Sequence, residues 1–307
     1  MPQEKRIILL AGPTASGKSE LAIRLAKHFN GEVINADSMQ IYKEISILNS
    51  RPSILDTKKI KHHLYGFNSV KQKFSTGHWL ELVLKKIQEQ WSHSKIPIIA
   101  GGSGLYFKAL CDGLVKIPDI PNNIKSEVKM LHNKLGQKTF FSHLIKLDPI
   151  AKNFILSSDV QRSMRAYEVK KFIGKSLFEL IKKTKSNFDQ NIFKKIFINT
   201  PRDLLKNKIE ERVEKMFNEG AIDEVKSFIK MKVYHELSSN KIIGINEIKN
   251  YLQGKLTLIE TKELIAQKTR QYAKRQFTWA RGHMKSWETI YSANTNDLFN
   301  KVLNKIS

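Results

Sequence analysis

Apolar positions at the start of the chain fall into a strand–loop–helix order. Ile7 to Ala11 is an unbroken apolar run, followed by the polar, glycine-bearing run Gly12 to Ser19. From Glu20 to Phe29, Leu21, Leu25 and Phe29 then share one face of a 3.6-residue period. A second short run, Glu32 to Ala36, predicts a strand ending at Asp37. Trp79 to Trp91 predicts a helix, with Leu80, Val83, Leu84, Ile87 and Trp91 in register. Ile96 to Ala100 predicts a third strand, and Gly101-Gly102-Ser103-Gly104 opens a short helix. Residues 51–73 show no period and are expected to cross the surface as irregular chain. Strands alternating with helices predict an α/β fold, a parallel sheet flanked by helices.

The pattern changes at Ile117-Pro118-Asp119-Ile120-Pro121. From 118 to 191 every periodic segment is helical, in Ile124 to Leu135, Phe140 to Leu147 and Asp159 to Phe172. Strand character returns at Ile196 to Asn199, and only helices are expected from there to the end. This order predicts an all-helical insertion domain, 118–191, inside an α/β core made of 1–117 and 192–307.

Composition narrows the class. Of 307 residues, 53 are Lys or Arg and 29 Asp or Glu, a net charge of +24, and 41% are hydrophobic. That mixture is globular rather than disordered. No stretch approaches the roughly 20 apolar residues of a membrane span, and Ile7 to Ala11 is too short for the core of a signal peptide. The single cysteine, Cys111, excludes an intrachain disulfide and a cysteine-cluster metal site. A soluble, cytoplasmic protein is expected. The charge fits a polyanionic partner, and fits equally a lysine-rich composition with no binding role, since 43 of the 53 cations are lysine. The arginines are more selective: six of the ten, Arg162, Arg165, Arg212, Arg270, Arg275 and Arg281, lie in helix-like segments beyond residue 160. A planar, bidentate fork suits phosphate.

The strongest motif is Gly12-Pro13-Thr14-Ala15-Ser16-Gly17-Lys18-Ser19, which fits G-x-x-x-x-G-K-[ST] between a strand and a helix. Such a loop wraps a phosphate in backbone N–H groups, aided by the positive end of the helix. Lys18 would meet phosphate oxygens and Ser19 would hold Mg²⁺. Asp37, at the C-terminal end of the second strand, stands on the edge where open α/β sheets bind ligands. It can serve as a general base or magnesium ligand, or simply cap the following turn. Arg162 and Arg165, three apart, face the same way on a helix and can clamp phosphate or pair with acids such as Glu168. Arg270, Lys274, Phe277 and Arg281 recur on one helical stripe, with Tyr272, Phe277 and Trp279 interleaved. That combination suits stacked bases and phosphates, or a packed aromatic side with a solvated cationic one. His62 and His63 are adjacent, point to opposite sides, and lack a third ligand at metal spacing; packing roles are expected.

Five segments occur in a diagnostic order: GPTASGKS from Gly12, ADSMQIY from Ala36, GGSGLYFKAL from Gly101, DVQRSMRAYEV from Asp159 and TRQYAKRQFTWAR from Thr269. The series resembles the bacterial-type tRNA dimethylallyltransferases, the isopentenyl transferase family, over residues 6 to 285. The resemblance implies a P-loop NTPase-like core and transfer of a dimethylallyl group from its diphosphate to N6 of the adenosine 3′ to the anticodon. It implies that Gly12 to Ser19 (Gly12, Pro13, Thr14, Ala15, Ser16, Gly17, Lys18, Ser19) hold the prenyl diphosphate, with Mg²⁺ at Ser19. Asp37 would be the catalytic base and Arg212 an arginine near the diphosphate. The tRNA contacts would come from Asp37, Ser38, Met39 and Gln40; from Ser103, in place of a threonine; from Lys125; and from Gln161, Arg162, Ser163, Met164 and Arg165. On the last motif they would be Lys274, Arg275, Gln276, Phe277, Thr278, Trp279 and Arg281. A monomer with no protein partner is expected. The run Ser46-Ile47-Leu48-Asn49-Ser50-Arg51-Pro52 departs from the family's usual Asp-Ile-Gly-Thr-Ala-Lys-Pro-like run, losing an acid, a glycine and a threonine. Rival readings of the same loop are a small-molecule kinase using ATP, an enzyme prenylating free AMP or ATP, and a non-catalytic RNA-binding protein.

Overall fold

A computed structural model describes residues 5–291 and 295–306. The chain divides into two compact units, one of Met1–Ala109 with Phe188–Ser307, the other of Leu110–Asn187. The sequence places these seams somewhat later, at 118 and 191.

The larger unit is built on six parallel strands: β1 (Ile7–Ala11), β2 (Gly31–Asn35), β3 (His62–His63), β4 (Ile96–Gly101), β5 (Phe193–Asn199) and β6 (Glu288–Tyr291), in the order β3-β2-β4-β1-β5-β6. Every residue of β1 is buried, because neighbours flank it on both edges and helices cover both faces; hence its unbroken apolar run. One face packs α1 (Lys18–His28) and α12 (Thr295–Ile306) in a core that joins Leu21 and Leu25 to Ile98, Ile196 and Val302. Further helices are α2 (Ile54–Lys59), α3 (Thr76–Ser92) and α4 (Gly104–Asp112). Beyond the helical unit come α8 (Arg202–Asn218), α9 (Ala221–Lys230), α10 (Ile245–Leu252) and α11 (Leu258–His283). A second core joins Ile209 and Val213 of α8, Ile245 and Ile248 of α10 and Ile265 of α11 to Ile41, Ile45 and Leu48.

Two expectations are corrected. Residues 51–73 are not irregular surface chain: they contain α2 and β3, and Val70, His63 and Asn68 are buried. The His63 ring meets the Glu32 carboxylate at 2.6 Å, and His62 holds the Ile60 carbonyl at 2.7 Å, so both histidines serve packing. Nor are the last residues all helical, since β6 pairs with β5 at the sheet edge. Only Ile290 of its four residues is buried, which is why no apolar run marks it.

The smaller unit contains α5 (Asn122–Leu147), α6 (Val160–Ile173) and α7 (Leu177–Lys182) around Leu144, Ala151, Ile155, Ala166 and Phe178. Gly136 interrupts α5 at φ 70°, which separates the two helical periods read in this stretch. Asp159 caps α6 by accepting the Arg162 N–H, and Gly174 ends it in the left-handed region.

Candidate active site

The site lies at the C-terminal edge of the sheet, where β1, β2 and β4 release their loops. After β1 the chain turns through Ala15 (φ 61°) and Gly17 (φ 84°) before entering α1. Left-handed geometry at these two positions aims successive N–H groups into one concavity. The loop is held from two sides. Arg212 of α8 donates from Nη1 to the Thr14 hydroxyl at 2.7 Å. Gln276 of α11 accepts the Thr14 N–H at 2.9 Å and donates its own amide to the Gly102 carbonyl at 3.0 Å.

The glycines after β4 make this possible. A Cβ on Gly102 would stand 2.1 Å from the Gln276 amide nitrogen, and one on Gly104 2.2 Å from the Trp279 ring. Two residues three apart on α11 therefore dock where side chains are missing. Ser103 between them accepts the Ser38 N–H at 2.9 Å, donates to the Ser38 hydroxyl at 3.1 Å and hydrogen-bonds Tyr272.

Cations are placed at cost. The Lys18 amine folds back on the Pro13 carbonyl and lies 3.3 Å from the Ser16 hydroxyl. Its enclosure pulls the pKa down to about 7; the Asp37 charge opposes this shift and Arg212 adds to it. Burial also lowers the pKa of Arg212, against the attraction of Asp37. Among the described residues the buried Arg212 Nε–H has no partner, nor has Oδ1 of Asn49, whose backbone carbonyl accepts Arg212 Nη2 at 3.4 Å. A half-buried guanidinium whose Nε–H is sealed from water and unanswered suits an anion by its own chemistry.

Asp37 is both capping residue and candidate base. Its Oδ1 accepts the Met39 N–H at 2.9 Å, closing the turn, while no hydrogen bond among the described residues claims Oδ2. The fully buried Asn35 fixes it from behind, accepting the Asp37 N–H at 2.7 Å and donating to the Asp37 and Leu64 carbonyls at 2.9 Å. Around this carboxylate the phenols of Tyr65, Tyr106 and Tyr272 are pushed up in pKa, first by burial and then by the Asp37 charge. Thr14, Asp37, Asn49 and Arg212 share one cavity of about 260 Å³ with an apolar wall that includes Leu48, Ile209, Met216 and Ile265. Polar groups converge at one end and aliphatic side chains line the rest, as an amphiphilic ligand requires.

For Mg²⁺ the donor set is adequate. Ser19 is exposed at the start of α1, and Asp37 is near enough for its charge to act on Lys18, the residue before Ser19. These are hard oxygen donors, few enough that most of the shell would come from substrate and water, as is usual for magnesium.

The altered segment 46–52 is firmly held. The Glu224 carboxylate accepts the N–H groups of Ser46, Ile47 and Leu48 at 2.6, 2.9 and 3.0 Å, and Gln40 donates to the Asn49 and Ser50 carbonyls at 2.9 and 3.0 Å. The same segment presents the Asn49 carbonyl to Arg212.

The expected RNA contacts divide. Lys274, Arg275, Thr278 and Arg281 are exposed on α11. Gln276 is not available to RNA: it is buried and both ends of its amide are engaged in the protein. Phe277 turns inward, edge-on to Phe197 at 6.1 Å, and Trp279 packs over Gly104 and stacks on His283 at 4.4 Å. In the smaller unit Gln161 and Arg162 are exposed, while Lys125, Met164 and Arg165 are half-buried. Ser163 is fully buried and donates to the Asp159 carbonyl at 2.6 Å, so it shapes the turn of α6 instead of presenting a hydroxyl. Arg162 pairs with Asp159 at 3.5 Å and Arg165 with Glu168 at 3.4 Å. Surface pairs of this kind are worth at most about 1 kcal/mol and are readily given up to phosphate. Sequence reasoning missed Asn35, Asn49, Tyr65, Tyr106 and Glu224. None carries a local signal, because each acts through partners brought in by the fold.

The chain matches the IPP transferase family over residues 40–283. It is 52% identical to a tRNA dimethylallyltransferase of Pelagibacter ubique over 94% of this chain and 92% of that one. It is 42% identical to the Rickettsia canadensis protein of the same name over 96% and 91%. Among solved structures, the full-length tRNA isopentenylpyrophosphate transferase of Bacillus halodurans superposes with a TM-score of 0.69 at 28% identity, over 99% of this chain and 97% of that one. A eukaryotic dimethylallyltransferase acting on tRNA superposes at 0.82 with 25% identity, over 99% and 77%.

Proposed function

The chain belongs to the IPP transferase family, and from that premise we propose that it transfers a dimethylallyl group from dimethylallyl diphosphate to N6 of the adenosine 3′ to the anticodon in tRNA. One observation carries the reading: two desolvated cations, Lys18 and Arg212, converge on a phosphate loop that shares its cavity with a carboxylate and an aliphatic wall. The loop and its cations would take the diphosphate, and the wall the five-carbon chain.

The reaction is a direct displacement. The N6 lone pair forms a bond to C1 of the dimethylallyl group as the C1–O bond breaks, its electron pair leaving with diphosphate. Asp37 receives the proton that N6 sheds; such a base is worth typically ~10²–10⁴ in rate. Lys18, Arg212 and the loop N–H groups meet the charge that accumulates on the leaving oxygens. Mg²⁺ held by Ser19 and the diphosphate would neutralise the same charge. The adenosine must leave its stack to reach the cavity. Exposed cations on α11 and α6 suit the RNA backbone. No helix among the described residues is long and apolar enough to cross a membrane.

The test is purified protein with labelled dimethylallyl diphosphate, unmodified tRNA and magnesium. Label in N6-dimethylallyladenosine within the tRNA is the expected result. ADP release from ATP with a metabolite, and no label in RNA, would move the protein to the kinases.

A further inference from the structure

A second groove, separate from the cavity that holds Asp37, runs between α8 and α11 beyond the ends of β5 and β6 and has a volume of about 870 Å³. Six cations line it, Arg202 and Lys206 of α8, Arg270, Lys274 and Arg281 of α11, and Lys285 just beyond, against one carboxylate, Asp203. Arg270 is taken by Glu210 at 3.2 Å, whereas Arg202, Lys206, Lys274 and Lys285 are exposed and make no ion pair among the described residues. Arg202 and Lys206 stand one turn apart on the same face.

Two further features point to an anion. The 17-residue helix α8 opens at Pro201 with no side-chain cap, so its first N–H groups have no protein acceptor of that kind. Next to it Thr200, only 2% exposed, lines the groove, and its buried hydroxyl has no hydrogen-bond partner among the described residues. A buried hydroxyl left unmatched is costly, and a ligand acceptor at this position would satisfy it. The floor is apolar, formed by Phe277 and Met284, and the exposed ring of Tyr291 stands on the rim.

We propose that this groove binds a backbone phosphate of the RNA substrate, seated at the N-terminus of α8 on Thr200 and Arg202, with Lys206 and Lys285 neutralising adjacent phosphates. The proposal rests on the function given above. It adds a stretch of RNA contact on the α11 face opposite Gln276 and Trp279, through residues outside every motif of the sequence.

The test measures RNA binding against salt for full-length tRNA, for an isolated anticodon stem-loop, and with inorganic phosphate as competitor. For the wild-type protein and the triple variant R202Q/K206Q/K285Q, affinity for dimethylallyl diphosphate serves as the control for folding. The triple variant should lose about 2 to 3 from the slope of log affinity against log salt, some 0.7–0.9 per phosphate contact. Thr200→Val should weaken RNA binding several-fold at fixed salt, with donor affinity unchanged for both variants. An unchanged slope in the triple variant overturns the proposal, as does a loss confined to inorganic phosphate. Failure of the wild-type protein to prenylate RNA while the slope still responds would remove the function and leave the groove standing.

Discussion

The phosphate loop and helix α6 both present paired cations, but they do so under opposite conditions. At the loop, burial pulls the pKa values of Lys18 and Arg212 down, and Arg212 retains a buried Nε–H that no described residue answers. On α6, Arg162 is exposed and Arg165 half-buried with its guanidinium still open to water, and they are already paired with Asp159 and Glu168 within one turn. A buried cation is costly, and its presence argues for a specific anion; a solvated one is cheap and argues only for a favourable surface. The +24 net charge therefore says little by itself, and the few cations withdrawn from water say most.

Substitutions can sharpen that contrast. The largest effect should come from Arg212→Met, which keeps volume and removes the guanidinium. Loss of one preorganised donor to the leaving group predicts a fall in kcat of about 10²–10³, measured in single-turnover prenyl transfer at saturating donor. A fall of only a few-fold would place Arg212 with the surface cations.

Gln276 comes next. The family resemblance puts it among the RNA contacts, and the structure uses its amide to hold Thr14 and Gly102. Gln276→Ala should raise the KM for the prenyl donor about tenfold, since two buried backbone groups lose partners worth ~1 kcal/mol or more each. Its tRNA affinity should stay within about twofold. The reverse pattern, weakened RNA binding with an unaltered donor KM, would return Gln276 to the RNA surface.

The third test is a proton count. Lys18 titrates near 7 in the free protein, and a bound diphosphate would raise that value. Above pH 7 the amine must then take up a proton on binding, so donor affinity should fall as pH rises from 7 to 9, by at most about tenfold per unit. Calorimetry in buffers of different ionisation enthalpy reads the uptake directly. Lys18→Met should abolish it. The smallest effect belongs to α6: R162Q/R165Q should weaken tRNA binding by a few-fold, increasingly at low salt, and leave donor KM unchanged.

What the sequence made legible follows the range of the interactions. The loop, the strand into it and the helix out of it are contiguous, so Gly12 to Ser19 could be read with its geometry. The break in α5 was legible for the same reason, as the gap between the periods Ile124 to Leu135 and Phe140 to Leu147, and it falls at Gly136. The strand β6 was not, because an edge strand with three exposed residues of four has no apolar signature. Glu224 and Asn35 were also invisible. Glu224 lies 178 positions from Ser46 yet organises that loop through three N–H groups. Asn35 sits inside an apolar strand, where a polar residue acquires meaning only once Asp37 and Leu64 are seen beside it. On the α11 motif the residues left two readings open and the resemblance put the whole run among the RNA contacts; Gln276 and Phe277 turn inward while Lys274 and Arg275 face out, as in the reading with a packed aromatic side and a solvated cationic one.

The account turns on the carboxylate that shares a cavity with the anion cradle. Asp37→Asn preserves the size of the side chain and an oxygen for the Met39 N–H, and removes the proton acceptor. Its single-turnover rate of N6 alkylation, with donor and tRNA both shown to be bound, should drop about 10²–10⁴-fold. A rate within a factor of three of the wild type would mean that N6 loses its proton elsewhere and that Asp37 is no more than the cap of its turn.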